Sequence, residues 1–209
     1  MNARELLQQY LGQCPLIAIV RGVTPDQAEA IGDAVYEGGI RIIEVPLNSP
    51  DPLNSIERLA RHFGDRALVG AGTVISVDQV EQVRQAGGRI IVSPDTNPQV
   101  IAAAAAAGLV SCPGYFTPSE AFTALRAGAT ALKLFPAEGA TPAVLKAHLA
   151  VIPREVPLLI VGGVKPDNMR PWLDAGAVGF GLGGGLYKPG QTAADTLEKA
   201  RAYVAGAKA

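Results

Sequence analysis

A lysine within an apolar segment is the residue whose surroundings most clearly suggest chemistry. Lys133 lies in the run ATALKLFP (129–136), whereas the other lysines occupy positions typical of helix surfaces, turns or the chain end. An ammonium group among apolar side chains is unfavourable unless it is paired, and loss of water lowers its pKa toward that of a nucleophilic amine. A nucleophilic Lys133 therefore competes with a lysine that reaches solvent from a strand end or forms an internal ion pair.

Two further charged side chains follow short apolar runs. Glu44 ends the run IRIIE (40–44), and Arg21 follows LIAIV (16–20). A carboxylate beside an amine can orient it or transfer protons during imine chemistry, although Glu44 can equally balance the charge of Arg21 or Lys133. A guanidinium suits two-point binding of a carboxylate or phosphate, although Arg21 can also be solvated or form a salt bridge.

Glycine-containing segments follow three other apolar runs and indicate close contact between the backbone and a ligand. Thr73 ends the segment GAGT (70–73), where glycine lets the backbone and a hydroxyl approach a bound molecule. The segments VGGV (161–164) and GLGGG (181–185) accompany the last two apolar runs. Barrels commonly bind phosphate there through backbone N–H groups, so two glycine pairs favour a phosphate site over simple turns.

The remaining polar residues give no sign of a metal centre. Lys165, Asn168 and Lys188 are predicted to be ordinary surface residues, and His62 and His148 to be partly exposed on helices. The two cysteines suit neither a disulfide framework nor a metal cluster, so the sequence predicts chemistry without a metal or cofactor. The sequence thus contains an amine within an apolar segment, an acid, a candidate carboxylate-binding arginine and glycine segments that could bind phosphate. Together these groups predict a Schiff-base enzyme for a phosphorylated keto acid.

A repeated pattern predicts the elements that position these residues: an alanine-rich amphipathic stretch, a glycine, then a short apolar run. Glycine supplies the left-handed residue that ends a helix, and the apolar run matches a strand buried on both faces. The predicted strands lie near 15–20, 40–46, 67–71, 89–93, 109–112, 130–135, 157–161 and 178–182. A leading helix is predicted at 3–11, and further helices at 25–37, 51–63, 76–86, 97–107, 117–127, 141–150, 167–175 and 191–206.

This alternation predicts the α/β class and a minimal (β/α)8 TIM barrel that forms one domain over residues 1–209. A doubly wound open sheet would give the same alternation. The first strand, however, lacks the glycine-rich turn that binds dinucleotides in such sheets.

Composition and charge exclude several classes of protein. The chain of 209 residues is 48% hydrophobic with a formal net charge of −1, so it can form a large core and is not disordered. Its basic residues are scattered, which argues against a nucleic-acid partner. The apolar run at 15–20 is too short for a secretory signal, and the stretch 100–110 is too short to cross a bilayer. We therefore expect a cytoplasmic protein without membrane partners.

Five motifs occur in order along the chain: PLIAIVRG (15–22), EVPLNSP (44–50), GAGT (70–73), KLFP (133–136) and the glycine pair at 162–163. Together they resemble one family, the 2-keto-3-deoxy-6-phospho-sugar-acid aldolases, over about residues 13 to 205. The resemblance implies a metal-free class I aldolase with no cofactor and a trimeric barrel. It also implies cleavage of a phosphorylated keto-deoxy sugar acid to pyruvate and glyceraldehyde 3-phosphate.

The resemblance assigns roles residue by residue. Lys133 would form the Schiff base, and Glu44 would move protons during carbinolamine formation and C3–C4 cleavage. Arg21 and Thr73 would face the pyruvate carboxylate, and Phe135 would form a wall beside the reacting carbon. The phosphate would be held by four glycines: Gly162, Gly163, Gly184 and Gly185.

Departures from the family pattern bear on the substrate. Gluconate-type members typically read EVTLRT where this chain has EVPLNS, which places Asn48 at the arginine position, and they tend to have threonine at Val161. Both changes resemble galactonate-type members, whose substrate differs at C4, and loss of a hydroxyl contact can discriminate between epimers. A serine often follows the glycine pair at 184–185, so phosphate contacts there would come from the backbone.

Three alternatives remain open at this stage. A gluconate or dual-specificity aldolase would share the catalytic residues. A phosphate-binding barrel isomerase or synthase would share the glycine loops but would not need Lys133 as a nucleophile. A non-catalytic phospho-sugar-acid sensor would bind the ligand without turnover, against which the lysine and the glutamate both argue.

Overall fold

The computed structural model describes residues 1–208, which form a parallel β-barrel surrounded by helices. Its strands are β1 Leu16–Ile19, β2 Ile42–Pro46, β3 Leu68–Gly72, β4 Ile90–Val92, β5 Val110–Cys112, β6 Gly114–Tyr115, β7 Leu132–Leu134, β8 Leu158–Val161 and β9 Gly179–Leu182. Its α-helices are α1 Ala3–Gln13, α2 Pro25–Glu37, α3 Pro52–Phe63, α4 Val77–Gln85, α5 Pro98–Ala106, α6 Pro118–Arg126, α7 Pro142–Leu149, α8 Arg170–Ala175 and α9 Ala193–Gly206. The predicted barrel and its leading helix are confirmed.

The fifth predicted strand differs from expectation because it is divided into β5 and β6 at Pro113. β5 pairs with β4, whereas β6 pairs with β7, so the two halves stand at opposite ends of the strand order. Backbone bonds join the β7 segment to β5 and the proline after it: Ala131 donates to Ser111 over 3.1 Å, and Lys133 donates to Pro113 over 2.9 Å. The barrel is therefore closed by one interrupted strand, at a proline that has no N–H to donate.

Local chemistry explains where several helices begin. Five of them start with proline, whose fixed φ suits the first helical turn and whose missing N–H costs nothing there. The hydroxyl of Thr117 accepts from the N–H of Glu120, and the Glu120 carboxylate accepts from the N–H of Thr117. This reciprocal cap fixes the start of α6.

The interior of the barrel is apolar at the amino ends of its strands and is covered there by α1. Leu7 and Tyr10 of α1 are fully buried against the inner strand residues. The Tyr10 hydroxyl donates to the carbonyl of Asp65 over 2.8 Å, which anchors the helix across this end. The barrel residues that form one apolar cluster with Leu7 and Tyr10 are Ile17, Ile42, Leu68, Ile90, Val92, Val110, Cys112, Ala131 and Leu159. Within the described residues, the amino end of the barrel is thus filled, which leaves the carboxyl end as the expected place for a ligand.

Within residues 1–208, the helices are too short or too polar to cross a membrane.

The two histidines on helices differ in their exposure. His62 is partly exposed and contacts Asp33 over 2.7 Å, as expected of a helix surface. The prediction for His148 is wrong: it is 8% exposed, with its ring centre 5.6 Å from that of Tyr115, because α7 packs this residue against β6.

Candidate active site

A cavity of about 520 Å3 opens at the carboxyl ends of the strands and brings the predicted site residues together. Lys133 and Glu44 lie at its buried end, and the glycine segments after β8 and β9 line its opening. The predicted residues that line it are Arg21, Glu44, Thr73, Lys133, Phe135, Val161, Gly162, Gly163, Gly184 and Gly185. A second, smaller cavity of about 340 Å3 lies beside α1 and residues 154–157, away from these groups.

Lys133 projects from β7 and is 6% exposed. Burial lowers the pKa of Lys133 to about 8, and the opposing negative charge of Glu44 limits that decrease. Its Nζ atom lies 4.8 Å from the centre of the Phe135 ring, so the aromatic face is the wall beside the amine. An appreciable fraction of this lysine is therefore an uncharged, nucleophilic amine near neutral pH.

Glu44 projects from β2 and is 3% exposed. Burial raises the pKa of Glu44 to about 7, and the positive charges of Lys133 and Arg21 oppose that increase. Its Oε2 atom has no hydrogen-bond partner within residues 1–208. A carboxyl group with this pKa can both accept and donate a proton near neutral pH, as a general acid and base must.

The glycine at position 72 makes room for the Glu44 carboxyl group. A Cβ at Gly72 would overlap all three atoms of that carboxyl group, so any side chain there would displace it. The next residue, Thr73, has φ +57°, in the left-handed region that non-glycine residues rarely adopt. The sequence analysis predicted that glycine here lets a ligand approach the backbone, whereas the group that lies against Gly72 is the Glu44 carboxyl.

Arg21 is fixed by side chains from two neighbouring loops. One of its terminal nitrogens donates to the amide oxygen of Asn48, and the other donates to Thr73 Oγ1 over 3.5 Å. The N–H of Gly22 donates to Ser49 Oγ over 2.9 Å, which joins the loops after β1 and β2. Asn48, which was predicted to bind substrate, accepts a hydrogen bond from the Arg21 guanidinium and is not among the residues that line the cavity.

The glycine pair after β8 has a backbone shape that other residues rarely adopt. Gly162 and Gly163 have φ values of +113° and +65°. The Asn168 side chain braces this turn, since its amide nitrogen donates to Gly163 O over 2.9 Å and its oxygen accepts from Lys165 N over 2.8 Å. Asn168 was expected to be an ordinary surface residue, but it is part of the loop's internal bonding.

Sequence reasoning missed several residues that line the cavity. Lys165 directly follows the segment VGGV (161–164), and Lys188 lies three residues after the end of GLGGG (181–185). This proximity was a signal that could have found them. Tyr203, on the distant helix α9, gave no local signal. Its hydroxyl donates to Val164 O over 3.0 Å and thereby connects α9 to the loop after β8. The other cavity residues missed by the sequence analysis are Ile19, Pro94, Glu138, Tyr187 and Pro189.

The described residues, 1–208, contain no group of three or more His, Cys, Asp or Glu side chains placed to hold a metal ion. The arrangement that they do contain is a buried amine, an acid of raised pKa, a fixed guanidinium and two glycine turns around one cavity.

Comparison with known proteins identifies the family. A family model described as KDPG and KHG aldolase matches residues 7–201. This chain belongs to that family. The aldolase is 45% identical over 196 residues to 2-dehydro-3-deoxy-6-phosphogalactonate aldolase of Escherichia coli (strain K12), a match that covers 94% of this chain and 96% of its relative.

Solved structures of the family agree with this fold. The aldolase superposes on the native KDPGal structure with a TM-score of 0.92 and 45% identity, covering 94% of this chain and 95% of the other. It superposes less closely on KDPG aldolase from Legionella pneumophila, captured with pyruvate as a covalent carbinolamine intermediate. There the TM-score is 0.82 and the identity 26%, with 98% of each chain covered.

The lowered pKa of Lys133 predicts an altered pH profile for its acylation. In the aldolase, half-maximal reaction of Lys133 with acetic anhydride should occur nearer pH 8 than the 10.5 of an ordinary lysine. Glu44→Gln should lower this midpoint further, because the lost negative charge no longer favours the ammonium form.

The measurement is peptide mass spectrometry after brief acylation over a pH series. Lys146, which is exposed on α7, reports the reagent's own pH dependence in the same sample. Superposition of the normalised Lys133 and Lys146 profiles would contradict the proposed effect of burial.

Proposed function

We propose that this chain is a class I aldolase that cleaves 2-dehydro-3-deoxy-6-phosphogalactonate to pyruvate and glyceraldehyde 3-phosphate. The observation that carries the proposal is the buried pair of Lys133 and Glu44 at one end of an open cavity. Burial moves the two pKa values toward neutrality, the lysine downward and the glutamate upward. The pair therefore offers a nucleophile and a proton carrier at the same pH.

The reaction starts when the neutral amine of Lys133 attacks the C2 carbonyl of the keto acid. Proton transfer through Glu44 allows the carbinolamine to lose water and form a protonated imine. The imine nitrogen then accepts the electron pair of the C3–C4 bond as a base removes the proton from the C4 hydroxyl. The aldehyde leaves, the enamine is protonated at C3, and hydrolysis of the imine releases pyruvate and the free lysine.

The other residues around the cavity suit the two ends of such a substrate. The Arg21 guanidinium, which donates to Asn48 and Thr73, would bind the carboxylate next to C2. The glycine turns at 162–163 and 184–185 expose backbone toward the other end of the cavity, where the phosphate would bind.

The galactonate epimer is favoured by the relatives and by one position in the cavity. The relative at 45% identity is named for that epimer, whereas the Legionella KDPG aldolase is 26% identical. Val161 lines the cavity beside the glycine turn and presents methyl groups where a threonine would present a hydroxyl.

The proposal also includes assembly as a homotrimer in the cytoplasm. The trimer is supported by the family resemblance and by a structural relative built by fusing symmetric oligomeric domains.

The proposed proton transfer predicts separate effects for the two buried charges. Lys133→Ala should abolish cleavage, whereas Glu44→Gln should slow it about 10²–10⁴-fold, the usual contribution of a general acid or base. Steady-state assay of pyruvate release measures both. Glu57→Gln, at an exposed position on α3, is the matched control and should keep full activity. Near-normal cleavage by Glu44→Gln would show that Glu44 only balances charge.

The proposed epimer preference predicts the effect of a single hydroxyl. Wild-type protein should have a higher kcat/KM for the 6-phosphogalactonate keto acid than for its gluconate epimer. Val161→Thr should shift that ratio toward the gluconate epimer by about 2- to 10-fold, the size of one added hydrogen bond. Threonine has the same shape as valine, so Val161→Thr tests the added hydroxyl. Val161→Ile, which changes the volume of the side chain without adding a hydroxyl, is the control. Equal rates on both epimers in the wild type would overturn the proposed substrate.

A further inference from the structure

We propose that Lys188 binds the phosphate group and makes this aldolase select phosphorylated over unphosphorylated sugar acids. The inference rests on the proposed function and adds a specificity-determining side chain to it. Lys188 follows the last glycine segment and lines the cavity at its phosphate end. Its methylene carbon Cε lies 4.0 Å from where a Cβ on Gly184 would stand. The end of the lysine stem therefore lies beside Gly184, in the loop proposed to receive the phosphate.

The loop after β9 has no polar side chain of its own to offer a phosphate. Residues 183–185 are all glycine, so only backbone groups face the ligand there. Tyr203 also limits side chains at position 185, because a Cβ on Gly185 would overlap the tyrosine hydroxyl oxygen. That hydroxyl already donates to Val164 O. A charged side chain for the phosphate therefore has to come from outside residues 183–185.

The opposite side of the phosphate end carries negative charge. The Glu138 side chain lies against both glycines of the turn after β8, and a Cβ on Gly163 would lie 2.8 Å from Glu138 Cγ. Glu138 is exposed and lines the cavity. A phosphate dianion bound to this turn would lie near a carboxylate, and that repulsion has to be offset by a cation.

The cations that line the cavity are not equally suited to this task. Arg21 is held by Asn48 and Thr73, and Lys133 is buried beside Phe135. The ammonium groups of Lys165 and Lys188 have no hydrogen-bond or ion-pair partner within residues 1–208, so both are available to a ligand. Lys188 is the one whose Cε atom lies beside a glycine of the loop after β9. An ammonium–phosphate contact is a charge-assisted hydrogen bond, stronger than the neutral contacts that the backbone supplies.

The experiment compares Lys188→Met with wild type on the phosphorylated substrate and on its unphosphorylated counterpart. Loss of one charged contact should lower kcat/KM for the phosphorylated substrate about tenfold or more, mainly through KM. The unphosphorylated substrate should be cleaved as by wild type, so the ratio between the two substrates falls. Lys188→Arg should restore most of the ratio, because arginine keeps the charge.

Three controls make the outcome decisive. Lys146→Met removes an exposed lysine far along the chain and should leave both rates unchanged. Added salt should weaken the wild-type preference for the phosphorylated substrate and have less effect on Lys188→Met, since an exposed ion pair is screened. Borohydride trapping of pyruvate, which has no phosphate, should proceed normally in Lys188→Met and shows that the variant is folded.

Contrary results separate the inference from the proposed function. An unchanged substrate ratio in Lys188→Met, or a fall only in Lys165→Met, would overturn the assignment of Lys188 while wild-type cleavage still supports the aldolase. Equal losses on both substrates would show a structural role for Lys188 and also overturn the assignment. Absence of cleavage and of pyruvate trapping in wild type would instead contradict the proposed function itself.

Discussion

The removal of two opposite charges from water is the physical constraint on which this site depends. Lys133 and Glu44 are each more than nine-tenths buried, and burial is the largest influence on both pKa values. Such burial costs several kcal/mol for each ion in its charged form. The mutual attraction of the charges offsets part of that cost, and the rest makes the neutral amine and the protonated acid accessible near pH 7. The cost in stability and the capacity for imine chemistry have the same origin.

Small residues keep this constraint compatible with a closed barrel. Gly72 makes room for the Glu44 carboxyl, and Ala131 precedes Lys133 on the inner face of the barrel. The amino end of the barrel is filled with larger aliphatic side chains and covered by α1, so reactive groups concentrate at the carboxyl end. Loops there are free to vary in the polar groups they present, while the strands hold the lysine and the glutamate at fixed positions.

The sequence predicted the repeated elements well because each helix end and each buried strand has its own local signal. Glycine, proline and short apolar runs are sufficient to place both kinds of element. The division of the fifth strand at Pro113 was not predicted, since it depends on how β4 and β7 approach the two halves. Candidate residues on strand ends were found from their unusual neighbours, and Lys133 is the clearest example. The contact of Asn48 with Arg21, the buried position of His148 and the cavity position of Tyr203 all depend on packing between distant segments.

The most direct test of the central claim is borohydride reduction in the presence and absence of pyruvate, followed by peptide mass mapping. Attack of the Lys133 amine on the keto group predicts a stable, pyruvate-dependent adduct on Lys133 and on no other lysine. Lys133→Ala should give no adduct. An adduct on a different lysine, or none on Lys133 although pyruvate binds, would contradict a class I mechanism at this site.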